Sequence, residues 1–220
     1  AWTFTAMNEP VKELFISEYI EGSSNNKAIE IYNPYNHSVD LSPYSVKLFS
    51  NGASSPTNTL NLKGTLDANG VYVIANATAG STILALADTT STVTYFNGND
   101  AIGLYKNEVL IDVFGTIGSD PGTAWNVAGV TNATVNHTLV RKTSITAGNN
   151  DWSSQAGTDA SSSEWIVYGI DEFSYLGWHI TKSSANDIVS FVLAEQTDPA
   201  VIDASNHKVD IEVANGTNRA

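Results

Sequence analysis

Cysteine is absent from the 220-residue chain, which removes disulfide scaffolds, thiolate zinc sites and cysteine nucleophiles together. Cations are scarce: ten Lys and Arg stand against 23 Asp and Glu, a net charge of −13. That field repels phosphate backbones at long range, and the one adjacent basic pair, Arg141-Lys142, sits in a strand-like run. Direct nucleic-acid binding is therefore disfavoured, while exposure to divalent cations or an extracytoplasmic setting suits the acidic balance. No apolar run approaches the roughly 18 to 20 residues of a membrane helix, and no basic-then-apolar leader opens the chain. It begins at Ala1, which suggests a processed or trimmed form and leaves room for a removed export signal.

Catalytic signatures are missing as well. His37, His137, His179 and His207 stand in unrelated contexts, none in a Gly-x-Ser-x-Gly or His-Glu-x-x-His setting, and no Gly-rich stretch ends in Gly-Lys-Ser/Thr. Each histidine is expected at the surface or at a strand edge. The chain reads as non-catalytic.

What is present is a series of short β-prone runs separated by Gly, Asn, Asp, Ser and Thr clusters, the spacing of an all-β sandwich. The length and the 42% hydrophobic content suffice for one large core, or one domain and part of a second. The opening pair, Leu14 to Gly22 and Ala28 to Pro34, is joined by a polar turn. There follow Ser45 to Phe49, Thr59 to Leu62, Val71 to Ala75, Ala101 to Lys106 and Val109 to Phe114, the last two linked by a tight Asn107-Glu108 turn. Thr138 to Lys142 reads as the final strand of this sandwich, and only Ser81 to Asp88 reads as a helical turn.

Five landmarks in order carry a family resemblance. They are Ile16-Ser17-Glu18-Tyr19, Ile29-Glu30-Ile31-Tyr32-Asn33-Pro34, Val39-Asp40-Leu41-Ser42 before Tyr44, Leu66-Asp67-Ala68-Asn69-Gly70 leading into Val71-Tyr72-Val73-Ile74, and Asn99 to Leu104. Over residues 13–145 the chain resembles a lamin tail domain. The resemblance implies an immunoglobulin-like antiparallel β-sandwich with a C-terminal β extension. Asp112 to Thr116 with Trp125, Thr138 to Lys142 and Glu164-Trp165 look like the version fused to secreted bacterial nucleases and other surface proteins. By that resemblance the chain is a non-catalytic interaction or anchoring module of an exported bacterial protein, secreted or at the cell surface. No coiled-coil heptads precede the domain, so a filament protein is not implied.

Around this core, residues 1–12 read as an N-terminal extension. Residues 146–182 form an extension rich in Ser, Asn, Gly and aromatic residues, expected to pack across the sandwich and close its open edge. Residues 183–220 look like the start of a second immunoglobulin-like domain, with strands at 187–193, 200–203 and 207–213. A sheet this small is marginal alone. It is expected to lie against the first domain or to pair with another copy of the chain, giving a strand-mediated dimer.

Two site readings compete with a purely structural one. Exposed Trp125, Trp152 and Trp165 would suit the apolar faces of pyranose rings, making the chain a carbohydrate-binding module for a glycan partner. Strand alternation, meanwhile, places Glu18 with Ile16 and Ile20, and Glu30 with Ala28 and Tyr32. A buried carboxylate must accept hydrogen bonds, pair with a cation or bind a metal. Calcium takes six to eight oxygen ligands, which the loops Glu21 to Asn26 and Asn97 to Asp100 could supply. Glu18, Glu21, Glu30 and Asp100 are the candidate ligands of a calcium-dependent adhesion or spacer domain.

Overall fold

The computed structural model describes residues 12–179 and the backbone of two short strands, 201–203 and 208–210. In chain order the first part contains β1 (Phe15–Glu21), β2 (Lys27–Tyr32), β3 (Val39–Asp40), β4 (Tyr44–Phe49), β5 (Asn58–Asn61), β6 (Thr65–Leu66), β7 (Val71–Ala75), α1 (Ser81–Leu84), β8 (Thr89–Thr90), β9 (Ala101–Lys106), β10 (Val109–Phe114), β11 (His137–Arg141), α2 (Trp152–Ala156) and β12 (Trp165–Tyr168). Two sheets result. One has the order β12-β11-β1-β2-β7-β8, the other β10-β9-β4-β5, with β3 and β6 forming a two-residue ribbon. Within both sheets neighbours run antiparallel except β7 and β8.

The sheets face each other across a continuous apolar core. Ile16, Tyr19, Ile29, Ile31, Ile74 and Leu139 of the first meet Val46, Leu48, Ile102, Leu104 and Phe114 of the second. Full burial of side chains this size stabilises by about 1.5–3 kcal/mol each. Tyr19 lies at the centre, stacked on Phe114 at 4.0 Å and Phe96 at 4.7 Å between ring centroids. Its hydroxyl donates to the Thr134 carbonyl at 3.1 Å. The outer face of the larger sheet is covered too: Ile20, Ala28, Val73 and Ala75 pack against Ala79, Ile83 and Leu176. Burial on both faces explains why every residue of β1 and β2 is buried. This is an immunoglobulin-like antiparallel sandwich.

Two expectations are corrected by the strand register. A β-bulge between Ile16 and Glu18 inserts one residue and resets the alternation. Ile16 therefore shares the inner face with Tyr19, while Glu18 joins Ile20 on the outer one. The expected last strand is not the last either. β11 pairs with β12, from Thr138↔Tyr168 to Arg141↔Trp165, so the Ser- and Asn-rich extension supplies the sheet's edge. The Asn107-Glu108 turn takes left-handed dihedrals at both positions, φ 49° and 65°, the type I′ geometry that matches strand twist.

The chain divides into two compact units, Ala1–Thr181 and Lys182–Ala220. In the second, β13 (Val201–Asp203) pairs antiparallel with β14 (Lys208–Asp210). The strand expected at 187–193 lies outside the described residues, as does His207.

Candidate functional site

Burial of β1 and β2 on both faces forces the fold to deal with several carboxylates. Glu18 and Glu30 stand directly opposite each other on the two strands, both out of reach of solvent. Glu30 is well supplied: the Ser17 hydroxyl donates to Oε1 at 2.6 Å and the Gly177 N–H to Oε2 at 2.7 Å. Burial pushes its carboxyl up to about 7 against the pull of these donors. Among the described residues neither oxygen of Glu18 has a hydrogen-bond partner. Burial, reinforced by the charges of Glu30 and Glu172, raises it to about 9, so at neutral pH it is an uncharged acid. Two carboxyls set apart in this way can serve acid–base chemistry where a substrate reaches them. Here the segment 171–179 lies over them.

That segment is a strap fastened at several points. The Asp171 carboxylate accepts from the Ser23 N–H at 2.9 Å, the Ser23 hydroxyl at 2.6 Å and the Asn26 amide at 3.2 Å. Gly22 makes the approach feasible, because a Cβ there would sit 2.4 Å from Asp171 Oδ1. Leu176 and Phe173 pack onto the outer apolar cluster. His179, expected at the surface, is instead buried against Tyr32 and Phe15, with ring centroids 4.8 and 5.7 Å away. Burial, with the nearby Arg141 charge, holds its imidazole down at about 4. His137 is partly buried, with Nδ1 2.7 Å from the Val135 carbonyl, and His37 is exposed.

The four proposed calcium ligands lie in separate settings. Glu21 pairs with Lys27 at 3.0 Å and accepts the Asn136 N–H. Asp100 accepts the N–H groups of Asn51 and Asn97, at 2.7 and 2.6 Å. Of the four proposed ligands only Glu18 and Glu30 are neighbours, and among the described residues no three His, Asp or Glu side chains gather to hold an ion.

Of the three tryptophans proposed for a sugar platform, two lie in the core and one is half-buried. Trp165 is 1% exposed and Trp152 5% exposed, so neither indole presents a free face. Trp165 donates from Nε1 to Gln155 at 3.3 Å, Trp152 packs on Phe114 at 4.7 Å, and the half-buried Trp125 meets Trp152 edge-on at 6.2 Å. A groove of about 320 Å3 between Leu110, Ile117 and Trp152 reaches only an edge of that core.

Sequence reasoning missed the network beside them. Pairing of β1 with β11 ends at Glu18↔Val140. Beyond it the Ile16 N–H donates to Asp112 at 2.8 Å, and the Ile16 carbonyl accepts from Arg141 at 3.4 Å. Arg141 and Asp112 are both wholly buried and pair at 3.2 Å, while Arg141 also reaches Glu164 at 2.6 Å. Two charged side chains thus complete the ladder that the bulge interrupts. Burial holds the Asp112 carboxyl above its ordinary value, against the opposing pull of Arg141 and of the Asn149 and Ile16 N–H groups.

A further site is open and polar. The hairpin loop and the Asn97 loop, paired above as a calcium cradle, do come together, but around a groove of about 330 Å3 lined by Asn25, Lys27, Asn76, Thr78, Tyr95 and Asn97. Carboxylates are absent from that lining. The signal for it was an excess of Asn in two loops flanking an exposed tyrosine.

A doubly covered β-sandwich with buried, structurally engaged carboxylates and a polar groove defines an immunoglobulin-like module. A family model of the lamin tail domain matches residues 8–118, just over half of the chain. The chain belongs to the lamin tail domain family. No curated protein matches it.

Proposed function

We propose that the chain is a non-catalytic interaction or anchoring module of an exported bacterial multidomain protein, accessory to an active domain such as an extracellular nuclease. The observation that carries this reading is the family match over residues 8–118, since the lamin tail domain is an immunoglobulin-like, non-enzymatic family. The absence of cysteine and the charge of −13 agree with an extracytoplasmic setting, where thiols are commonly dispensed with and acidic surfaces stay soluble. Glu21, Glu30, Asp100 and Asp112 are each held by donors of the fold itself, which suits scaffold use. The test has two arms. Incubation of the purified chain with plasmid DNA and magnesium, manganese or calcium is expected to leave the DNA intact, and metal-dependent cleavage overturns the reading. The reading frame around the chain is expected to encode an export signal and a catalytic or surface domain; a cytosolic frame with neither overturns it.

A further inference from the structure

The groove over Lys27 is polar, neutral and rigidly built. Tyr95 is 56% exposed, yet its neighbours Val93, Thr94 and Phe96 are wholly buried. Its short turn is pinned by the Thr94 hydroxyl donating to the Ser91 carbonyl at 2.6 Å and by the Tyr95 N–H donating to Thr92 at 3.1 Å. An aromatic ring is therefore held out to solvent on a fixed mount. Asn76 is oriented by its own Oδ1, which accepts from the Thr78 N–H at 3.0 Å and hydroxyl at 2.9 Å, leaving its Nδ2 protons for a ligand. Asn25, at the tip of the opening hairpin, has no side-chain partner among the described residues, and Asn97 spends only its Oδ1, on Lys27 at 3.5 Å. The Lys27 ammonium is already satisfied by Glu21 at 3.0 Å, the Phe96 carbonyl at 2.6 Å and Asn97. No free charge is left to recognise an anion.

We propose that this groove binds one pyranose unit of a neutral glycan, with the sugar ring against Tyr95 and its hydroxyls bridged by the amides of Asn25, Asn76 and Asn97. A sugar hydroxyl both donates and accepts, as an asparagine amide does. The axial C–H face of the ring matches the apolar face of a tyrosine, whose phenol end stays hydrated. At about 330 Å3 the groove lies at the small end of ligand sites, roughly 300–1,000 Å3, so it takes one ring at a time. Nucleotides and acidic polysaccharides are opposed by the −13 field. This inference deepens the binding-module reading and rests on it, but it uses none of the tryptophans expected from sequence.

The experiment is a 15N-edited NMR titration of the whole chain with chitohexaose, cellohexaose, laminarihexaose and mannohexaose at millimolar concentration. At least one is expected to shift the amides of Asn25, Asn76 and Asn97. Tyr95→Ala and Asn25→Ala are each expected to weaken that binding about tenfold with an unchanged melting temperature, and Trp178→Ala, at another exposed aromatic, to leave it intact. No shift with any of the four overturns the proposal, as does binding that survives Tyr95→Ala, binding lost in Trp178→Ala, or binding of acidic glycans or peptides alone. Such failure leaves the module reading standing, whereas DNA cleavage removes that reading whatever the groove does.

Discussion

Two buried carboxylate sites, one on each side of the bulge in β1, solve the same problem in opposite ways. Asp112 meets burial with partners, a guanidinium and backbone N–H groups whose pull opposes the rise that burial imposes on its carboxyl. Glu18, a few residues away, has no hydrogen-bond partner among the described residues and gives up its charge instead. An ionised carboxylate in an apolar setting costs far more than a hydrogen bond returns, so it must be paired or protonated. The first site depends on geometry assembled from three distant segments, the second on a proton. Their responses to substitution and to pH should therefore diverge.

The largest effect is expected where the charges are paired. Arg141→Ala leaves Asp112 buried without its cation and removes the donor to the Ile16 carbonyl. Urea unfolding should show a loss of about 3–5 kcal/mol. A loss under about 1 kcal/mol would mean that the pair is not holding the bulge. The double variant Arg141→Met with Asp112→Asn should recover part of that loss, because the fully buried charge is then gone and only the partly exposed Glu164 lacks its cation.

The outer pair should answer to pH. In the fold Glu18 and Glu30 keep protons that the unfolded chain releases near 4.5, so their contribution is full below that value and declines as pH rises. Glu30 is lost through about 7 and Glu18 through about 9. Between pH 7 and 9 the Glu18 share alone should lower stability by about 1.4 kcal/mol per pH unit. Glu18→Gln should flatten that decline in unfolding curves taken across this window; an unchanged slope would locate the titrating group elsewhere. His179 works in the other direction. Its neutral ring is favoured in the fold, so its contribution is present above pH 6.5 and is lost as pH falls through about 4.

A smaller effect separates turn strain from charge. Glu108 holds a left-handed backbone at φ 65°, which costs a non-glycine residue about 1–2 kcal/mol. Its ion pair with Lys47 is exposed on the glutamate side and contributes little. Glu108→Gly should therefore stabilise the protein by about 1 kcal/mol, read as a higher melting temperature, and destabilisation would show that the ion pair outweighs the strain.

The same contrast governs what the sequence disclosed. β7, β9 and β10 fall on the residues that pattern alone marked, and the single turn of α1 lies inside the predicted stretch, because periodicity and turn chemistry are local. The bulge at Ser17 is not local. It inserts one residue without any glycine or proline to announce it, and it puts Ile16 on the face opposite Glu18 and Ile20, which simple alternation places with it. β12 was hidden by its Ser-rich approach, and its edge position follows from a register with β11. The Arg141–Asp112 pair joins residues 29 apart, a contact that no spacing rule anticipates. Asn25 and Asn97 stand out in sequence as oxygen donors for a cation; only the turning of Glu21 and Asp100 toward the fold's own donors leaves a neutral groove there.

On this account the outer carboxyl pair holds a proton beneath the strap at neutral pH. The most direct test is a 13C NMR titration of the Glu18 side-chain carboxyl with and without calcium. The expected result is a midpoint near pH 9 that calcium does not move; a midpoint near 4.5, or a resonance displaced by calcium, would contradict it.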